Sequence, residues 1–396
     1  MSEPWWWTDG LSVGPAGLAL DGTPLEALAR AHGTPLYATG APTIRRRLAE
    51  LRQALAATGR PSAIHYAMKA NRFRPLLETI RAEGDIGIDA ASPAEVALAL
   101  EVGFRPDQVS VTAGMLSDRD LRTLVAQGVH LNLDTRSVIR RYAAIPGHRR
   151  AIGLRLDPAV ATSWGGEARL AYGNSKFGVL PNEIEDVAAL AKAMGLTVDT
   201  LHVHPGWGLP DSAAPALAAV FARMASLASA LPSVRTVDVG GGLGWRHREA
   251  DRPLQPAAWS ALLTEAFGDT ALRIACEPGT FVAAPAGVLI VEVNTVEVRG
   301  GKTWIGVDAG HNVNVYAAHY GIPHAIVPVD RPLAEPEIEV EIAGNINEAN
   351  DVFARGCPLP AVREGDLLAF LPAGAYGASM ASNHCLRGTF AEVLIR

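Results

Sequence analysis

The sequence predicts an α/β chain: a TIM-like (β/α)8 barrel, followed by a C-terminal antiparallel β-sheet domain (a sandwich or barrel) that also takes in the N-terminal segment. Three observations predict it. Eight short apolar stretches end in polar or glycine residues and alternate with Ala/Leu-rich helical stretches. Beyond Gly279 the long helical patterns stop. The 396 residues, 48% hydrophobic and 19% charged, suffice for a large core in two domains. The expected division is 1–41 for the first strands of the β domain, 42–279 for the barrel and 280–396 for the rest of the β domain.

Taken in order, "LSVGPAGLALDGTPL" and "TPLYATG" read as strands of the β domain, because they precede the barrel. The barrel strand ends are "IHYAMKAN", "DIGIDAAS", "QVSVTAGM", "VHLNLDT", "AIGLRLDP", "TLHVHPGWG", "TVDVGGGLG" and "RIACEPG". Between them lie helices such as "SPAEVALALEVG", "EIEDVAALAKAMG" and "APALAAVFARMASLASAL". Ser92 and Asn182 are expected as caps, Gly103 and Gly195 as stops. "GVLIVEVNTVEVRG", "TWIGVDAG", "EIEVEIAGN" and "DLLAFLPAGAYG" then predict a sheet.

The net charge is −6 and the only basic run is Arg45 to Arg47, inside a helical pattern, so nucleic acid is not expected as a partner. Nor is a membrane: no apolar run approaches a spanning length, the N-terminus lacks signal-peptide order, and a cytoplasmic location is expected. Cys276, Cys357 and Cys385 are odd in number and lack metal-ligand spacing, which indicates neither a disulfide framework nor a metal site.

Chemistry concentrates at the C-terminal ends of the barrel strands, where Lys69, Asp89, Arg155, His202, His204, Gly240 to Gly242 and Glu277 fall. A lysine entering a packed interior is costly unless it is paired or has a chemical task. On the fragment "HYAMKAN" alone a solvated lysine is the commoner reading, a glycine run is more often a tight turn, and a buried glutamate is as often satisfied by a neighbouring cation. Together they suit pyridoxal phosphate: its aldehyde needs an amine, its phosphate needs bare N–H groups, and its pyridine nitrogen needs an acid partner.

The ordered motifs "YAMKAN", "DAASPAE", "SKFG", "HVHPG", "GGGLG", "EPGTFVAAPAGVL", "DAGHN", "NEAND" and "AGAYGASMASN" before "AEVLI" cover nearly the whole chain. In this the sequence resembles the fold-type-III pyridoxal-phosphate decarboxylases, the diaminopimelate and ornithine decarboxylase-like family. The resemblance implies Lys69 as the lysine that carries the cofactor, His204 as the imidazole on the ring face and Glu277 as the pyridine-nitrogen acid. It implies Gly240, Gly241 and Gly242 as the phosphate loop, with Tyr376 and Asp89 beside the cofactor. It further implies a homodimer with shared active sites, Asn347 and Glu348 of "NEAND" reaching the partner's site, and a small-molecule amino-acid substrate.

Four positions depart from the family pattern. Asn347 stands where the family carries a cysteine credited with returning a proton, Thr280 where an arginine follows "EPG", and Trp207 where a serine is usual. Tyr316 stands where diaminopimelate decarboxylases hold an arginine for a substrate carboxylate. Arginine to tyrosine removes a bidentate clamp, which implies a decarboxylase retargeted to another amino acid, in siderophore or other secondary metabolism, with Arg155, Trp207, Tyr316, His319, Asn347 and Glu348 around the substrate. The other readings are a diaminopimelate decarboxylase of lysine biosynthesis, a racemase on the same cofactor, to which the loss of the proton donor at Asn347 lends support, and a cofactor-binding regulator, against which the retained Glu277 argues. His311, His319, His324 and His384, with Asn314, lie in or near the altered segments, where one or two ligand contacts are expected. Trp5 to Trp7 are expected to pack the N-terminal arm on the sheet domain.

Overall fold

The computed structural model describes residues 3–160, 162–164, 172–173 and 175–396. Near the N-terminus β1 (Leu11–Gly14), β2 (Gly17–Leu20) and β3 (Thr23–Pro24) form a small antiparallel sheet of their own, and β4 (Leu36–Gly40) joins the C-terminal domain. The first of the two N-terminal stretches therefore packs on the β domain without entering its sheet. Trp6, Leu18, Leu20 and Leu25 share a core with Val288, Ile290 and Leu371, and Trp5 and Trp7 pack on its edge, as expected of the tryptophan arm.

The barrel is closed by β5 (Ser62–Ala67), β6 (Ile86–Ala90), β7 (Val109–Thr112), β8 (His130–Leu133), β9 (Ala151–Leu156), β10 (Thr197–Val203), β11 (Thr236–Asp238) and β12 (Arg273–Cys276). All eight neighbouring pairs are parallel. These are the eight predicted strands. Ile64, Tyr66, Ile86, Ile88, Val109 and Val111 belong to the large apolar core with the surrounding helices. By alternation His65, Gly87, Ser110, His130, Asn132 and Gly153 point inward, so small and polar residues fill a space that branched aliphatic side chains usually occupy. Glycine is what makes room for them: a Cβ at Gly87 would lie 2.5 Å from the His65 ring, and one at Gly153 would lie 1.8 Å from Asn132 Oδ1.

Two local expectations differ in outcome. Ser92 caps the helix Pro93–Val102, its side chain accepting from the Glu95 N–H at 3.1 Å, and Gly103 ends it in the left-handed region. Asn182 does not cap: Pro181 starts a 3-10 turn, Pro181–Glu183, so the chain is already turning when the helix Ile184–Ala193 begins. The run Asp211–Ala230 is, by length and composition alone, long and apolar enough to cross a membrane, contrary to expectation. Here Leu217, Val220, Phe221 and Met224 bury one side of it in the barrel core.

The C-terminal domain contains β13 (Gly287–Arg299), β14 (Lys302–Val307), β15 (Ala325–Pro328), β16 (Ile338–Ala343), β17 (Val352–Leu359), β18 (Leu367–Leu371) and β19 (Ala391–Ile395). The main path runs β15-β18-β13-β14-β16-β17, with β4 between β13 and β19. Most pairs are antiparallel as predicted, but β14 with β16 and β19 with β4 are parallel, so the sheet is mixed. The long connection through the helix Val315–Tyr320 and β15 permits the parallel return of β16.

Candidate active site

Lys69 sits in a short 3-10 turn immediately after β5, and its Nζ donates to Asp89 Oδ2 on β6 at 2.7 Å. The adjacent strand ends bring Thr112, Arg155, His202, His204 and Glu277 around the same cavity of about 290 Å3, with Tyr172, Lys176 and Phe177 on its rim. Burial opposes the Lys69 charge, but Asp89, Tyr376 and Glu277 more than offset it and hold the ammonium above its usual value. Burial and the Glu277 charge push the Asp89 carboxyl up, with Lys69 pulling the other way.

Glu277, at the end of β12, accepts from Thr112 Oγ1 at 3.1 Å and meets His202 Nε2 at 3.0 Å. Burial works against its charge, yet His202, Lys69 and His204 prevail and keep the carboxylate ionised well below its usual range. His204 is depressed by burial, then by Lys69 and Arg155, and stays neutral; its Nδ1 accepts from the Gly241 N–H at 3.3 Å. Arg155 lies 4.2 Å from the Phe177 ring centroid, the arginine lining this cavity.

The glycine run folds tightly against this floor. Gly240 (φ +66) and Gly242 (φ +115) adopt backbone angles that side chains disfavour, and a Cβ at Gly241 would lie 2.6 Å from the Glu277 carbonyl oxygen. Tyr376 arrives from the other domain. Its loop is stapled to the Lys69 turn: the Tyr376 N–H donates to the Ala70 carbonyl at 2.6 Å, Ser379 Oγ to the Lys69 carbonyl at 2.8 Å, and Asn71 Nδ2 to the Gly374 carbonyl at 3.0 Å. Burial, partly opposed by Lys69, pushes the Tyr376 phenol up to about 12.

The predicted substrate-end residues divide. Tyr316 is buried, stacked on Tyr376 at 5.1 Å between centroids and edge-on to Trp207 at 5.9 Å, with its hydroxyl unpartnered. Trp207 in turn stacks on Tyr320 at 5.8 Å. His319 is exposed and rests on the Tyr320 ring. Asn347 and Glu348 are exposed and do not line the Lys69 cavity of their own chain; Glu348 Oε1 meets His384 Nε2 at 3.0 Å. His324 Nε2 bonds Asn314 Nδ2 at 2.9 Å, and His311 lies 3.8 Å from Asp351, so both are tied within the β domain.

Sequence reasoning assigned no role to His202, Thr112 or Asn132, nor to the aromatic residues Tyr172 and Tyr320. The signal for His202 was present in "HVH", because residues two apart on a strand share a face. Among the described residues, His202, Asp238 and Glu277 offer atoms within 4.8 Å of one another, a spacing a metal would accept. The His202 to Glu277 hydrogen bond already occupies that space.

The residues fit pyridoxal phosphate: an amine at Lys69, an ionised acid at Glu277, glycines that side chains would block, and buried atoms such as Asp89 Oδ1 and His202 Nδ1 left without partners. A closed parallel barrel with this set at its C-terminal mouth defines a pyridoxal-phosphate enzyme. A family described as "Pyridoxal-dependent decarboxylase, pyridoxal binding domain" matches residues 41–284. The chain is 34% identical over 391 residues to the diaminopimelate decarboxylase of Methanothermobacter thermautotrophicus, covering 96% of this chain and 90% of that protein. It is 31% identical to that of Streptomyces coelicolor, covering 95% and 88%. The crystal structure of diaminopimelate decarboxylase from Helicobacter pylori complexed with L-lysine superposes with a TM-score of 0.85 at 27% identity, covering 94% of each chain. The chain belongs to the pyridoxal-dependent decarboxylase family, and it is a pyridoxal-phosphate-dependent carboxy-lyase acting on an amino acid.

Proposed function

We propose that the protein decarboxylates an amino acid other than diaminopimelate, one whose distal end is larger or differently charged. What carries the reading is Tyr316: a buried phenol stacked on Tyr376 and edge-on to Trp207, in an aromatic cluster where the Arg248 guanidinium lies 3.9 Å over the Trp164 ring. A carboxylate facing it would find one hydroxyl and aromatic faces in place of a two-pronged donor. A citryl-amino acid or similar intermediate of siderophore or other secondary metabolism has the altered distal end this wall accommodates.

When bound, the cofactor supplies an electron sink for the pair left behind as carbon dioxide departs. The chain's own residues do the rest. Lys69 anchors the cofactor, Asp89 holding its ammonium while the lysine is free, and Glu277 holds the proton at the ring nitrogen. His204 covers the ring, Tyr376 and the Gly240 to Gly242 turn take the phosphate, the Gly240 and Gly241 N–H groups first leaving Asp238 Oδ1 and His204 Nδ1, and Arg155 attracts the substrate carboxylate. Asn347 cannot release a proton near neutral pH, so the proton returned to the reacting carbon comes from another group.

We take the working assembly to be a cytoplasmic homodimer in which Asn347 and Glu348 reach the partner's pocket, since they are exposed outside their own. The domain limits 42–279 and 280–396 remain our division of the chain. A second reading, a genuine diaminopimelate decarboxylase, is favoured by relatives of that name at 34% and 31% identity.

The cofactor assignment is tested by reduction. The purified protein is expected to be yellow, and borohydride should fix the cofactor to the peptide containing Lys69; recovery on Lys176 or any other lysine contradicts the assignment.

A further inference from the structure

We propose that His202 and the Asn132–Thr112 pair are positioning residues that hold Glu277 by both carboxylate oxygens, keeping it a fixed acceptor toward the cofactor ring nitrogen. The inference rests on the reading of Glu277 as the ring-nitrogen acid.

The geometry leaves little freedom. Thr112 Oγ1 has a single hydrogen, and Glu277 Oε1 lies 3.1 Å away to accept it. Its lone pairs are then free to accept, and Asn132 Nδ2 donates to them at 2.9 Å while also reaching Ser110 Oγ at 3.3 Å. Asn132 can stand there because Gly153 on the neighbouring strand β9 has no side chain, a Cβ at that position lying 1.8 Å from Asn132 Oδ1. One glycine thus fixes an amide, the amide fixes a hydroxyl, and the hydroxyl fixes one oxygen of Glu277.

The other oxygen is held from β10. His202 is fully buried, and its Nε2 lies 3.0 Å from Glu277 Oε2 while Nδ1 has no partner. Burial, aided by Arg155 and Lys69, keeps the ring neutral, so it carries one N–H. Placing that hydrogen on Nε2 satisfies both the donor and the carboxylate, whereas placing it on Nδ1 would strand a buried donor.

A third neighbour settles the charge. Asp238 has an oxygen within 4.8 Å of the His202 and Glu277 ligand atoms. Two buried anions at such range repel, and burial together with Glu277 pushes the Asp238 carboxyl well above its usual range, although Gly240 donates its N–H to Oδ1 at 2.9 Å. Asp238 is the carboxyl pushed toward its protonated form and Glu277 the one held toward its charged form. The threonine and histidine donors therefore have a task beyond filling the barrel: without them the two carboxyls would compete for one proton, and Glu277 would lose its fixed orientation.

The test uses a cofactor analogue in which carbon replaces the ring nitrogen, 1-deazapyridoxal phosphate. Apoprotein is titrated with pyridoxal phosphate and with the analogue, following quenching of tryptophan fluorescence. Thr112→Val and His202→Phe are expected to weaken pyridoxal phosphate about tenfold and the analogue by less than about twofold, because a lost hydrogen bond to a charged group matters only where Glu277 has a partner. Thr112→Ser, which keeps the hydroxyl, should restore the affinity. Equal losses for both ligands, or no loss for pyridoxal phosphate, overturn the proposal by showing a merely structural role or none. Glu277→Gln run alongside separates the two layers. If it discriminates between the ligands while Thr112→Val and His202→Phe do not, the positioning role alone is wrong; if it does not discriminate, the reading of Glu277 falls and takes this proposal with it.

Discussion

The floor of the barrel and the aromatic wall beside it are built by opposite means. On the floor, Glu277, His202, Thr112, Asn132 and Asp89 are held by hydrogen bonds of 2.7–3.1 Å, some between neighbouring strands and some across the barrel mouth, each side chain placed by its register in a closed sheet. On the wall, Trp207, Tyr316, Tyr320 and Tyr376 come from loops and a short helix of two domains and meet through ring packing at 5.1–5.9 Å, with the Tyr316 hydroxyl unsatisfied. Hydrogen-bonded register fixes atoms to a few tenths of an ångström, as chemistry on one cofactor requires. Ring packing fixes a shape and tolerates replacement, so substrate choice can change on the wall while the floor keeps the reaction.

The largest expected effect lies on the floor. Lys69→Ala should lower kcat by roughly a thousandfold or more, because the residue is both anchor and proton-bearing group. Stopped carbon dioxide release with folding intact, seen by circular dichroism, is the outcome that supports it; activity near that of the parent would place the chemistry elsewhere.

A subunit experiment sharpens the comparison next. Lys69→Ala and Glu348→Ala disrupt opposite contributors to one site if the pocket is shared. Mixing the two inactive proteins under subunit exchange should then return about a quarter of the parent activity, as random assortment of a two-fold dimer dictates. No recovery in mixtures shown to contain heterodimers would mean that each chain completes its own site.

The smallest effect should be purely structural. Ser92→Ala removes the cap of the helix that follows β6 and leaves the Glu95 N–H without its partner, at a cost of about 1 kcal/mol. Thermal unfolding should shift down slightly while kcat and KM stay put. A changed kcat would show that the floor depends on the helix behind Asp89 more than its hydrogen bonds imply.

The sequence carried the floor better than the wall, for physical reasons. Lys69, Asp89, His204 and Glu277 were legible because strand ends in a β/α alternation are local features, and a closed barrel brings all of them to one mouth. His202 was visible as a strand-end residue, yet its task depends on Thr112 and Asn132, three and two strands away, a relation that no local pattern encodes. Tyr316 was singled out by position, whereas its stacking on Tyr376 and its edge-on contact with Trp207, the latter across the two domains, arise from non-local packing. In the β domain the strands were recognisable, but their pairing is non-local: β14 beside β16 in parallel, and β1 to β3 as a separate sheet, are decided by packing and connection length. The missed cap at Asn182 is a smaller case of the same kind, a local preference overridden by the Pro181 turn.

The claim that the floor is kept and the wall altered is tested most directly by steady-state specificity constants, with product and carbon dioxide read by mass spectrometry, for meso-diaminopimelate against a panel of diamino acids and citryl-amino acids. Losing a charge-assisted clamp on a buried carboxylate costs about 2–5 kcal/mol, so kcat/KM for diaminopimelate should lie roughly two to three decades below that of the best substrate. Diaminopimelate turning over as well as every other member of the panel would contradict the account and return the protein to the activity for which its relatives are named.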